Sequence, residues 1–186
     1  MEKNSEKSSL RRLLLAKRDT MSADFINIAS KQIHRNLKKI DQYKDAATIA
    51  CYYSIGSEVK TQDIMQEILS EGKTLSLPRL KDDKLVFCNV KKISDLEKGE
   101  FGIMEPKQYC PTSEKIDVII VPAIGMTREG HRLGYGKGFY DKFLKNRNTT
   151  TIALTYAKLV VKNIPNSELD IPIKWVVTED EIIKTS

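Results

Sequence analysis

The sequence has no apolar run approaching the roughly 20 residues that a membrane-spanning helix needs, so an integral helical membrane protein is not expected. Its opening stretch, MEKNSEKSSLRRLLLAKRDT, lacks the apolar core of a secretory signal. It also carries Glu2, Glu6 and Asp19, acids that a transit peptide avoids. A cytoplasmic protein is therefore expected. Cysteine is scarce: Cys51, Cys88 and Cys110 are odd in number, far apart and form no CxxC pair. That argues against a disulfide framework and a structural zinc site, and suits a reducing compartment. Cys51 lies in an apolar run and is expected to be packed. The two histidines, His34 and His131, have no pattern around them that suggests ligation. Internal repeats, low-complexity tracts and long linkers are also missing.

What remains is ordinary soluble composition, 40% hydrophobic and 30% charged, in 186 residues, a length that fits one domain spanning 1–186. The formal net charge of +6 is unevenly spread, since residues 1–44 hold 11 Lys/Arg against 5 Asp/Glu. Such an excess fits either a nucleic-acid surface or solvated helix faces with a few residues reaching an anionic ligand. The basic residues are not interleaved with aromatics, and no helix-turn-helix, RRM or zinc-finger pattern appears. No nucleic-acid or membrane partner is expected.

Apolar spacing predicts a first helix near 5–19, from Leu10, Leu13 and Leu14. Ser22 is a natural N-cap for a second, with Phe25, Ile26, Ala29, Ile33, Leu37 and Ile40 on one face. AATIACYY reads as a buried strand, TQDIMQEILSEG as a helix stopped by Gly72, and KTLSLP and LVFCNV as short strands. IDVIIVP is the cleanest strand, and its β-branched continuity predicts burial on both faces. A helix near 137–146 and strands in TIALTY and IKWVVTED complete the pattern. Strands alternating with helices predict a single α/β domain with a mostly parallel open sheet and helices on both faces.

REGHRLGYGKGFYDKF, residues 128–143, follows the carboxyl end of the strand ending at Pro122 and places glycines at 134, 136 and 138. A plain turn or a closely approaching ligand could account for them, and the location favours a ligand, since open α/β sheets bind ligands beyond the carboxyl ends of their strands. Little side-chain bulk lets backbone N–H groups converge on an anion. Lys137 and Arg132 can grip phosphate, and Asp141 is a hard oxygen donor suited to Mg²⁺. The run is neither a Walker A sequence nor a clean dinucleotide fingerprint.

VPAIGM…GHRLGYGKGFYDKFL resembles the central signature of the 5-formyltetrahydrofolate cyclo-ligase family. KSSLRR, SEVKT at 57–61, LPRL at 77–80, FGIMEP at 101–106 and IPNSELDIPIKWVVTED at 164–180 recur in family order, so the resemblance covers nearly the whole chain. It implies ATP- and Mg²⁺-dependent closure of 5-formyltetrahydrofolate to 5,10-methenyltetrahydrofolate. It also implies ATP contacts from Lys7, Arg11 and the loop Arg132, Leu133, Gly134, Tyr135, Gly136, Lys137, Gly138, Phe139 and Tyr140. Lys137 and Arg132 would carry the catalytic charge. Folate contacts are implied for Tyr53, Glu58 and residues 135–139, and magnesium contacts for Asp141 and Asp170; a monomer is expected. Three departures stand out. Met126 and Thr127 replace a phenylalanine and an aspartate frequent in the family; methionine can still line an apolar folate pocket, but Thr127 cannot replace a carboxylate's charge. Phe139 lacks a tyrosine hydroxyl, and Tyr135 stands where relatives can have arginine.

Overall fold

The computed structural model describes residues 2–99, 102–145 and 147–185. The chain begins with helices α1 (Glu2–Asp19) and α2 (Ala23–Leu37) and the single turn α3 (Asp41–Lys44). Strand β1 (Thr48–Ala50), helix α4 (Gln62–Ser70) and the long strands β2 (Thr74–Lys81) and β3 (Lys84–Val90) follow. The short pair β4 (Leu96–Lys98) and β5 (Met104–Pro106) leads into β6 (Val118–Pro122). Next come β7 (Gly125–Met126), β8 (Arg132–Leu133), α5 (Phe139–Leu144), β9 (Thr150–Leu154), β10 (Trp175–Val177) and β11 (Ile182–Lys184). Phe101, the first residue of the FGIMEP run, lies outside the described residues.

One sheet has the order β11-β10-β9-β6-β1-β2-β3. Its five inner strands are parallel, and β3 and β11 close the two edges antiparallel. The expected α/β architecture, mostly parallel with helices on both faces, is borne out. The strand IDVIIVP shows why. Val118 and Ile120 face one core with Leu14, Ile33, Leu37 and Ile64, from α1, α2 and α4. Ile119 and Val121 face a second core with Leu144 of α5 and Phe87 of β3. Each buried isoleucine or valine is worth about 1.5–3 kcal/mol of transfer free energy, and only a two-sided cover makes a continuous apolar strand profitable.

Local signals set the helix bounds. The Ser22 hydroxyl accepts from the Phe25 N–H at 3.1 Å and starts α2, which buries Ile26, Ala29, Ile33 and Leu37 at helical spacing. The helix expected near 137–146 is shorter, because Gly138 takes a left-handed φ of 68° and becomes its N-cap. Pro78 sits inside β2 without breaking the ladder. β1 pairs only as far as Ser76, so the missing N–H of Pro78 has no inner strand to face.

From β1 the chain runs to β2 on one side, whereas from β6 it runs to β9 on the other. The β1/β6 boundary is therefore the sheet's topological switch point. The loops leaving those two strands diverge at their carboxyl ends, the place where open α/β sheets form a ligand crevice.

Candidate functional site

Helix α1 crosses this crevice. Arg11, Leu14 and Arg18 stand four, seven and eleven residues along from Lys7 and fall with it on one stripe of the helix, which meets the segments at the carboxyl edge. The Lys7 ammonium donates to both oxygens of Asp170, at 2.7 and 2.6 Å. Arg11 Nε donates to the Gly134 carbonyl at 2.7 Å. Leu14 is buried over Gly125, where a Cβ would fall 2.5 Å from Leu14 Cδ1. Arg18 Nε donates to Ser57 Oγ at 3.0 Å, and its Nη2 donates to the Tyr135 hydroxyl at 2.9 Å. Several of the cations that made the N-terminal segment basic are thus turned onto the sheet edge, as binding of an anionic ligand requires.

The glycine stretch folds as a hairpin, β7 with β8, followed by the loop into α5. Two of its glycines have identifiable reasons. At Gly134 a Cβ would lie 2.6 Å from Arg132 Nη1, so any side chain would displace that guanidinium. Gly136 has φ of +94° and lies against Arg11, conditions that disfavour a Cβ twice over. Arg132 turns under the loop, where Nη2 donates to Asp141 Oδ2 at 2.8 Å and Nη1 to the Pro122 carbonyl at 3.2 Å. The guanidinium also lies 5.5 Å from the centre of the Tyr140 ring. Leu133 is buried beneath the hairpin, whereas Lys137 is exposed at the loop crest. Phe139 and Tyr140 are half-buried at the start of α5, and burial raises the Tyr140 phenol well above its ordinary pKa, against the opposing charge of Arg132.

Across the crevice, Glu58 is buried on the loop that leaves β1. Its Oε2 accepts from the Ile55 N–H at 2.9 Å, and its Oε1 accepts from the Tyr135 hydroxyl at 2.6 Å. Burial first, and then the negative charge of Glu58, push the Tyr135 phenol up to about 12, so it remains a donor at neutral pH. Tyr53, on the same loop, is half-buried against the first core and makes no hydrogen bond to this pair.

Asp141 and Asp170 are brought close, because Asp141 Oδ1 accepts from the Ile171 N–H at 3.2 Å. No group of three His, Cys, Asp or Glu side chains suited to a metal occurs among the described residues. Two hard carboxylates beside the glycine loop nevertheless have the donor chemistry that Mg²⁺ takes, one or two protein carboxylates completed by other oxygens. Each carboxylate is here matched by a cation, Arg132 or Lys7. Burial would raise the Asp170 carboxyl, but the Lys7 ammonium and the Ser167 N–H and hydroxyl outweigh it and hold the carboxyl below its ordinary value. A depressed folded-state value makes the pair stabilising above the unfolded pKa, about 3.9, and this contribution is lost as pH falls through the folded value. Lys7→Met is accordingly expected to lower the melting temperature by roughly 2–6 °C at pH 7. The difference from the wild type should close as pH falls below about 4, read by thermal melting across pH.

Met126, a residue able to line an apolar folate pocket, is fully buried in the second core, and its neighbour Thr127 holds the β7–β8 turn through bonds with His131 and Gly130. Its place in the second strand-like run after β6 puts the methionine inside the hairpin's packed face. Conversely, Arg18 and Ser57 were passed over, although the four-, seven- and eleven-residue spacing from Lys7 marks Arg18 as part of the same stripe.

The sequence matches the 5-formyltetrahydrofolate cyclo-ligase family over residues 3–179. The chain belongs to that family. The 5,10-methenyltetrahydrofolate synthetase of Aquifex aeolicus superposes with a TM-score of 0.87 at 33% identity, covering 96% of this chain and 92% of that one. The 5-formyltetrahydrofolate cyclo-ligase of Escherichia coli (strain K12) is 33% identical over 147 residues, 74% of this chain and 80% of its own length. The Mus musculus cyclo-ligase is 28% identical over 193 residues and covers 95% of both chains.

Proposed function

We propose that this chain closes 5-formyltetrahydrofolate to 5,10-methenyltetrahydrofolate at the expense of ATP, with Asp141 and Asp170 holding Mg²⁺. The observation that carries the reading is the meeting, at the switch point, of two differently built walls. One holds Lys7, Arg11, Lys137 and the glycine backbone, a set of donors for a polyphosphate. The other holds the buried Glu58 carboxylate with the Tyr135 hydroxyl, a polar anchor for a flat heterocyclic substrate.

The chemistry needs both walls at once. A formyl oxygen is a poor leaving group until it is phosphorylated, so its attack on the γ-phosphate, with ADP departing, turns it into a phosphate ester. N10 then attacks the activated carbon, and the ring closes with loss of inorganic phosphate and the N10 proton. Phosphoryl transfer of this kind depends chiefly on alignment and on neutralising charge. Lys137, Arg11 and the loop N–H groups would align and neutralise the nucleotide, and Glu58 and Tyr53 would orient the folate. Bound Mg²⁺ would supply further neutralisation of the phosphate oxygens. Arg132 is buried against Asp141, so its part is to fix that carboxylate and the loop beneath the phosphates. Its side chain, with only 7% of its surface exposed, is poorly placed for a direct grip. The three free, buried cysteines suit a reducing compartment, which supports a cytoplasmic setting.

The direct test is the rise of methenyltetrahydrofolate absorbance with purified protein. Turnover is expected only when 5-formyltetrahydrofolate, ATP and Mg²⁺ are all present. Turnover without ATP, or none from well-folded protein, would reject the reading.

A further inference from the structure

Arg18 is the one member of the α1 stripe that faces the folate wall. It is 5% exposed, a depth at which a guanidinium ordinarily has every N–H paired, yet Nη1 has no hydrogen-bond partner among the described residues. For stability alone this is a poor arrangement, because a buried cation with an unpaired donor is often matched or bettered by an apolar side chain of similar length. The groups it does bind are not ones that need it for burial. Ser57 lies in the turn after β1 and donates its own hydroxyl proton to Asp19, while Tyr135 keeps 46% of its surface exposed. What Arg18 does accomplish is directional. By donating to the Tyr135 oxygen it leaves that hydroxyl a single proton, and the proton points at Glu58 Oε1. The charge also lies 5.9 Å from the centre of the Tyr135 ring, which favours keeping the ring beneath it.

We infer that Arg18 is a positioning residue for the folate substrate, acting through Tyr135 to hold the Glu58 carboxylate and to bind the loop after β1 to the glycine loop as one wall. The inference rests on the cyclo-ligase reading and deepens it. The same helix then serves both substrates: its first turns face the nucleotide through Lys7 and Arg11, and its last turn sets the folate anchor. Charged hydrogen bonds of this type are shorter and stronger than neutral ones, consistent with the 2.6 Å Tyr135–Glu58 contact.

The experiment is steady-state turnover, with separate KM values for 5-formyltetrahydrofolate and ATP, for the wild type, Arg18→Met, Arg18→Lys, Tyr135→Phe and the Arg18→Met/Tyr135→Phe double variant. Each single variant, Arg18→Met and Tyr135→Phe, is expected to raise the folate KM by about ten- to hundredfold and to leave the ATP KM within about twofold. The double variant should be no worse than the worse single, because both act through one contact. Arg18→Lys should recover part of the loss. A folate KM unchanged in both singles, or losses that multiply in the double, would overturn the inference while wild-type turnover kept the cyclo-ligase reading. No turnover in the wild type would remove the reading and the inference together. If Arg18→Met fails to fold, Tyr135→Phe still decides, since it removes one hydroxyl from a half-exposed ring.

Discussion

Lys137→Ala is expected to cut ATP-dependent turnover by roughly a hundred- to a thousandfold while leaving the melting temperature within about 1 °C of the wild type. The two halves of that result have separate grounds. Lys137 stands between Gly136 and Gly138 at the crest of the loop, exposed, and its ammonium makes no hydrogen bond or ion pair among the described residues. Its removal therefore costs the folded state nothing that can be named. The other polar side chains of the loop are already committed, Arg132 to Asp141 and Tyr135 to Glu58 and Arg18. In the proposed reaction, that leaves the Lys137 ammonium as the loop cation free to follow charge as it develops on the γ-phosphate. Ammonium groups serve phosphates as mobile point charges, and a group that strengthens its contact only in the transition state appears in kcat rather than in KM. Turnover and KM measured with MgATP would show this. A fall confined to the ATP KM would make Lys137 a ground-state binder, and full turnover would remove it from the mechanism.

Most of the fold could be read from hydrophobic periodicity, because burial imposes it. Val118–Val121 alternates between two cores, and the continuous β-branched run says so directly. The α2 stripe and its Ser22 cap are equally local signals. What could not be read are elements defined by partners distant in sequence. β7 and β8 are two residues each, too short for a period, and exist because a hairpin closes under α1. Strand lengths were overread for the same reason: AATIACYY contributes only Thr48–Ala50 to the sheet, since beyond Ala50 the chain leaves to build the crevice. The candidate site divides in the same way. The glycine loop, Lys137 and Asp141 lie within ten residues and read as phosphate chemistry on their own. Lys7 with Asp170 spans 163 residues and Tyr135 with Glu58 spans 77, so only the resemblance pointed to them as a set. Arg132 was expected at the phosphates. The structure buries it instead, because Gly134 leaves room for its guanidinium to fold back onto Asp141.

That buried pair sets the second large effect. Asp141→Ala is expected to lower stability by about 3 kcal/mol, a fall in melting temperature of roughly 6–12 °C, and to abolish measurable turnover. The stability loss follows from what alanine leaves behind. The Arg132 side chain is 7% exposed and its Nε already lacks a partner, so without Asp141 its charge is buried with only the Pro122 carbonyl to accept from it. The Ile171 N–H loses its acceptor as well. The low end of the range for breaking a buried pair applies because the Asp141 side chain retains 19% exposure. Asp141→Asn separates the structural from the chemical part. An amide oxygen can still accept from Ile171, and the isosteric side chain preserves packing around Arg132, so less than half of the melting-point loss is expected. The negative charge is gone in both variants, and with it the hard Mg²⁺ donor that the proposed reaction calls on, so turnover should fall by at least a hundredfold in each. Thermal melting and a Mg²⁺ titration of turnover, made side by side, distinguish the cases. Loss of activity that tracks loss of stability would reduce Asp141 to a support for Arg132, whereas an asparagine variant that is folded and inactive would assign its charge to the metal.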